Sequence, residues 1–141
     1  MKNYKIFLNE NYLISDAVGH HVGEYVYHVT PENRIHNIKN DGFQPQNGIS
    51  INGEKFENRL YFATSLISAY DLTVNFGSYK DNDNYVIFKI KSECLNDYEL
   101  DPLFGHGIYI DYSVPYKYVV DVIEADSLFN KYNEDDIDNL Y

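Results

Sequence analysis

The stretch "EYVYHV" (24–29) alternates as a half-buried strand does and then turns abruptly polar. Thr30 suits an N-cap, Pro31 a first helical position, and Ile35 and Ile38 share a helix face that Gly42 ends. "FQPQNGISINGEKFENR" (43–59) carries a proline and two Asn-Gly pairs, the chemistry of a loop or hairpin. "RLYFAT" (59–64) predicts a short buried strand. From Ser65 onward, Leu66, Ala69, Tyr70, Thr73 and Val74 recur at helical spacing until Gly77. "SYKDNDN" (78–84) reads as a polar turn. "YVIFKIK" (85–91), "GIYIDYSV" (107–114) and "KYVVDVIEA" (117–125) predict three further strands. The acidic tail "NKYNEDDIDNLY" (130–141) is either loosely ordered or a short terminal helix.

The pattern is that of one α+β unit over residues 1–141, with no linker and no internal repeat. The longest apolar runs span only a few residues, so no transmembrane helix is expected. The opening "MKNYKIFLNENYLISD" lacks the small-residue cleavage site of a secretory signal. Cys94 is the single cysteine and cannot form an internal disulfide, which makes a reducing cytoplasm the default compartment.

Charge narrows the partners. The net charge of −11 and the absence of any basic cluster argue against a phosphate backbone as ligand. The 15 tyrosines are expected mainly as half-buried strand residues, so only one in a special position counts as a candidate. His20, His21, His28, His36 and His106 invite a zinc reading, but their spacing matches no metal motif and one cysteine offers little support. No metal is expected. His28 alone would be a satisfied strand histidine, Tyr61 a core tyrosine, Tyr70 a packing residue, and Ser65 and Ser68 helix-start residues.

Three segments, in order, resemble the motifs of the ADP-ribosyltransferase-like fold across residues 25–125. "YHVTPENRIHNIKNDGFQP" resembles the first motif, a strand ending in histidine with a helix and glycine behind it. "LYFATSLISAYDLTVNFG" resembles the second motif of the poly(ADP-ribose) polymerase branch. "GIYIDYSVPYKYVVDVIE" resembles the third motif and closing strands, with the Val-Pro step of RNA 2′-phosphotransferases and of many phage and bacterial relatives. The resemblance implies two small packed β-sheets with flanking helices and NAD⁺ bound in a cleft between them. It implies that His28 hydrogen-bonds the adenosine ribose, and that the Val29 backbone, where the polymerase branch has glycine, clamps the carboxamide. The resemblance implies that Thr30 binds the cofactor with them, and that His28 and Tyr61 are catalytic residues as well. Tyr61 and Tyr70 would sandwich the nicotinamide ring, and Ser65 or Ser68 would give its hydroxyl to the carboxamide.

Active relatives often carry a glutamate on the third-motif strand, where alignment puts Ile108 here. Strand parity sets residues 106, 108, 110 and 112 on one face and 109 and 111 on the other. Asp111 therefore points away, while His106 shares the face of Ile108 and is the expected substitute. The expectation is single ADP-ribose transfer from NAD⁺, without chain elongation, to a protein side chain, a nucleotide or a small molecule. An RNA 2′-phosphotransferase is one alternative, weakened by a chain with only Arg34 and Arg59 as arginines. A fold relative kept as a binding or structural module is the other, favoured by Ile108. The Asn-, Asp-, Tyr-, Lys- and Ile-rich composition has the character of a phage or AT-rich bacterial protein, with an effector, toxin or counter-defence role in a host cytoplasm as the matching expectation.

Overall fold

The strand patterns assemble into one antiparallel sheet in the computed structural model, which describes residues 22–49, 53–79, 84–102 and 104–140. Strand β1 spans Tyr25–Pro31, and a 3-10 turn leads from it into helix α1, Ile35–Asp41. Strands β2 (Gln46–Ile49) and β3 (Lys55–Ala63) form a hairpin, followed by helix α2 (Leu66–Tyr79). Strands β4 (Tyr85–Lys91), β5 (Glu99–Leu100), β6 (Gly107–Ile110) and β7 (Val119–Glu124) complete the sheet, and a short helix α3 (Glu134–Asp138) closes the described chain. The order across the sheet is β5-β6-β3-β1-β4-β7, with β2 paired to β3. The architecture is α+β. His20, His21 and most of the 78–84 turn lie outside the described residues.

Alternation places two cores on the two sheet faces. On one face Val26, Phe62, Phe88, Ile90, Ile108 and Ile110 are buried against Ile38 of α1 and Phe43. On the other, Ala63 and Ile87 pack under Ala69 and Tyr70 of α2 and under Leu128. Strand β4 lies between β1 and β7 and is covered on both sides, which is why "YVIF" is apolar without interruption. Each such side chain, fully buried, contributes roughly 1.5–3 kcal/mol.

Several local expectations shift for identifiable reasons. Thr30 and Pro31 do not start the helix; both stay in β1, paired to Val86 and Tyr85 of β4. Beyond Tyr27, β1 is a local edge on its other side, where a proline is tolerated. Gly42 does stop α1, at φ 77°, and a Cβ there would meet the Val114 carbonyl oxygen at 2.7 Å. The strand expected over 107–114 ends at Ile110, and Val114 instead exchanges backbone hydrogen bonds with Phe43 at 2.8 and 3.0 Å. The expected pair of sheets is a single sheet, because Tyr27 pairs with Ala63 and joins the halves. Among the described residues no helix is long and apolar enough to cross a membrane.

Candidate functional site

The join between the halves is narrow, and the cleft follows from it. β1 runs alongside β4 from Tyr25 to Pro31 but meets β3 only at Tyr27 and Ala63. Continued register would pair His28 with Phe62 and Val29 with Tyr61. Instead β3 turns toward β6, and toward β2 at Asn58, whose φ of 55° is left-handed. Asparagine tolerates that conformation, and here its side chain donates to the Asp111 carbonyl at 3.2 Å. The space left between β1 and β3 is a cleft of about 1170 Å³.

His28 stands where the strands part. Its Nδ1 lies 2.8 Å from the Tyr61 carbonyl oxygen, across the gap that a ladder bond would otherwise fill. A carbonyl only accepts, so Nδ1 carries the proton and Nε2 of the neutral ring is an acceptor. Burial pushes the imidazole below its ordinary value of 6.5, the Tyr61 carbonyl raises it in part, and Arg34 lowers it. The ring is braced by the edges of Phe43 and Phe62, at centroid distances of 5.2 and 5.9 Å. His28 is thus both a strut of the parted sheet and a hydrogen-bond acceptor lining the cleft.

The opposite wall is aromatic and charged. Tyr61 lines the cleft, packed edge-on to Phe56 and tilted against its cross-strand partner Tyr109. Arg59 precedes it by two residues and so shares its face. Its Nη1 donates to the Tyr61 hydroxyl at 3.0 Å, which raises the guanidinium pKa further. Asp71 of α2, Asp101 before β6, and Phe104 also line the cleft, and the first of these carboxylates is buried. Sequence reasoning did not single out Asp71, Asp101 or Phe104. Arg59 was legible as the same-face neighbour of Tyr61. Asp71 sits inside the second motif, next to Tyr70, but no role was attached to it, and Asp101 comes from a segment with no pattern toward a site.

Val29 and Thr30 line the cleft beside His28. The remaining expected residues lie elsewhere. Tyr70 is buried under α2 against Tyr132, at 5.8 Å between ring centroids, so the structure does not form the sandwich of Tyr61 and Tyr70. The helix face that carries Tyr70 is the one that packs on the sheet. Ser65 and Ser68 bond one another, with Oγ atoms 2.8 Å apart, and Ser65 Oγ accepts from the Ser68 amide at the start of α2. Ile108 is fully buried opposite Phe62 and Leu100, in the core and not in the cleft. Asp111 is exposed beyond the end of β6.

His106 is also outside the cleft. It is buried with its ring against Phe104, and Nε2 donates to the Leu140 carbonyl at 3.1 Å. This bond latches the chain after α3 to the rest of the fold. His106→Ala is expected to cost about 1 kcal/mol and to speed amide hydrogen exchange over residues 133–140. Exchange mass spectrometry alongside a thermal melt reads both quantities; unchanged exchange in that segment removes the latch.

Among the described residues no three His, Cys, Asp or Glu side chains come together in a metal-binding group. Burial pushes the Cys94 thiol up to about 11, so it is not a thiolate nucleophile at neutral pH. Fold and cleft together define an α+β protein with a ligand-sized opening between diverging strands. No family model matches the chain, and comparison with curated proteins finds no relative.

Proposed function

We propose that the cleft binds NAD⁺ and that the chain transfers a single ADP-ribose unit from it to an acceptor, within an ADP-ribosyltransferase-like fold. One observation carries the reading: His28, with an acceptor nitrogen left for a ligand hydroxyl, and the aromatic ring of Tyr61 line the same cleft where β1 and β3 part. The two residues come from the first and second motifs of the resemblance. A ribose hydroxyl donating to Nε2 fits the His28 tautomer, and the Tyr61 ring offers a face or edge to a flat nicotinamide. The cleft has room for an elongated dinucleotide.

Cleavage of the nicotinamide–ribose bond leaves positive charge on the ribose, which carboxylates in a partly desolvated cleft stabilise. Asp71 and Asp101 fill that role in this reading, in place of the glutamate absent at Ile108. A second reading, an NAD⁺-binding module without transfer, is favoured by the burial of Ile108 in the core.

Calorimetric titration with NAD⁺ tests binding, and tagged NAD⁺ tests transfer. Tyr61→Ala is expected to weaken NAD⁺ about tenfold, equivalent to ~1.4 kcal/mol. A folded protein that ignores millimolar NAD⁺ rules out the reading. Binding without label transfer or nicotinamide release leaves the module in its place.

A further inference from the structure

The chain contains two arginines, Arg34 and Arg59, and both line the cleft, whereas no lysine among the described residues does. Arg34 acts on His28 at one wall. Arg59 stands at the other, held in a fixed pose: its guanidinium carbon lies 4.1 Å from the centre of the Tyr109 ring, and Nη1 is tied to the Tyr61 hydroxyl. A guanidinium presents five N–H donors in a rigid fork, and Tyr61 takes one of them.

We infer that Arg59 forms an oxyanion subsite in the cleft, one that takes an ionised carboxylate or phosphate through paired N–H bonds. A planar, pre-oriented fork matches that geometry, and a lysine would not. Asp41, Asp71, Asp101 and Asp138 line the same cleft, and Asp101 acts electrostatically on Arg59. They repel extended polyanions, so the subsite favours a compact anion engaged directly by the fork.

Resting on the NAD⁺ reading, the subsite adjoins Tyr61 and therefore holds the acceptor. The acceptor oxyanion then forms a bond to the ribose C1′ as the bond from C1′ to the nicotinamide nitrogen breaks. The electron pair of that bond enters the pyridinium ring and leaves neutral nicotinamide. No proton moves, because the nucleophile is already ionised. Such an acceptor needs no general base, which suits a site whose expected glutamate position is Ile108 in the core.

The test titrates the whole chain at low salt with inorganic phosphate and, separately, with succinate, and measures NAD⁺ binding by the wild type in parallel. At least one anion is expected to bind. Arg59→Ala should weaken it tenfold or more, and Arg59→Lys at least threefold, with a thermal melt confirming that both variants fold. Transfer from tagged NAD⁺ to phenyl phosphate or to benzoate then distinguishes the two acceptor chemistries. If neither anion binds the wild type, or if Arg59→Ala binds them equally well, the subsite is refuted. Anion binding without NAD⁺ binding keeps the subsite and removes the NAD⁺ reading. Label appearing on neutral alcohols or amines but on neither anion overturns the acceptor assignment.

Discussion

Replacing His28 with alanine is expected to weaken NAD⁺ binding more than tenfold and to destabilise the fold by about 2–3 kcal/mol. The stability loss has two parts. The bond from Nδ1 to the Tyr61 carbonyl disappears where β1 and β3 have no ladder to replace it, and a void opens beside Phe43 and Phe62. The affinity loss comes from Nε2, the acceptor left for a ligand. His28→Asn separates the effects, because a shorter polar side chain fills part of the void without placing an acceptor at Nε2. Should either substitution leave NAD⁺ affinity unchanged in a folded protein, His28 is a strut and nothing more.

The same residue sets a pH dependence. Its folded pKa is lowered by burial, so below the unfolded value near 6.5 the unfolded chain takes up a proton that the folded one resists. This contribution to stability is fully present above that value. It is lost as pH falls from about 6.5 toward the depressed folded value. Denaturant midpoints across that window should slope upward with pH in the wild type and flatten in His28→Asn.

Ile108→Glu is expected to be the more damaging change, costing about 3–5 kcal/mol and lowering the melting temperature on the order of 10 °C or more. The side chain is fully buried, with Phe62 across the strand on one side and Leu100 on the other. A carboxylate there has neither water nor a partner cation. The substitution also separates two placements of the third motif. If Ile108→Glu folds normally and raises transfer from NAD⁺, the strand faces the cleft and the core described above is wrong. Ile108→Val, which keeps the shape and loses a methylene, should cost about 1 kcal/mol.

Much of the architecture was legible because it is local. The alternation in "EYVYHV" and the apolar run "YVIFKIK" correspond to β1 and β4, and Gly42 marks the end of α1. The segment 43–59, read as loop or hairpin, holds β2 and the start of β3, although its first Asn-Gly pair, Asn47-Gly48, lies within strand β2. Boundaries failed where tertiary pairing overrode local preference. Thr30 and Pro31 form an apparent helix start, yet the ladder to β4 holds both extended. Strand β5 has two residues, too short to leave a period. Asn58, whose left-handed turn marks the bend of β3, sits in a segment read simply as loop or hairpin.

The site was legible in part. His28, Val29, Thr30 and Tyr61 line one cleft, while Tyr70, Ser65, Ser68 and His106 serve packing, capping and latching. Residue type and motif order cannot tell these apart. A tyrosine on a helix has the same sequence signature whether it faces a cleft or a sheet.

What the sequence determined by itself is which residues share a face and, at Gly42, where a helix stops, since side-chain period and glycine conformation are properties of a few consecutive residues. Gly77, read as a stop in the same way, is passed by α2, which runs to Tyr79. The sequence also determined the acidic balance that opposes polyanions. Only the tertiary structure decided which faces meet. His28 reaches Tyr61 across 33 positions, and Arg59 lies on Tyr109 of a different strand. Strand order and the parting of β1 from β3 set both contacts. Those depend on how two cores fill opposite sides of one sheet, and a period of two residues carries no information about a neighbour that distant.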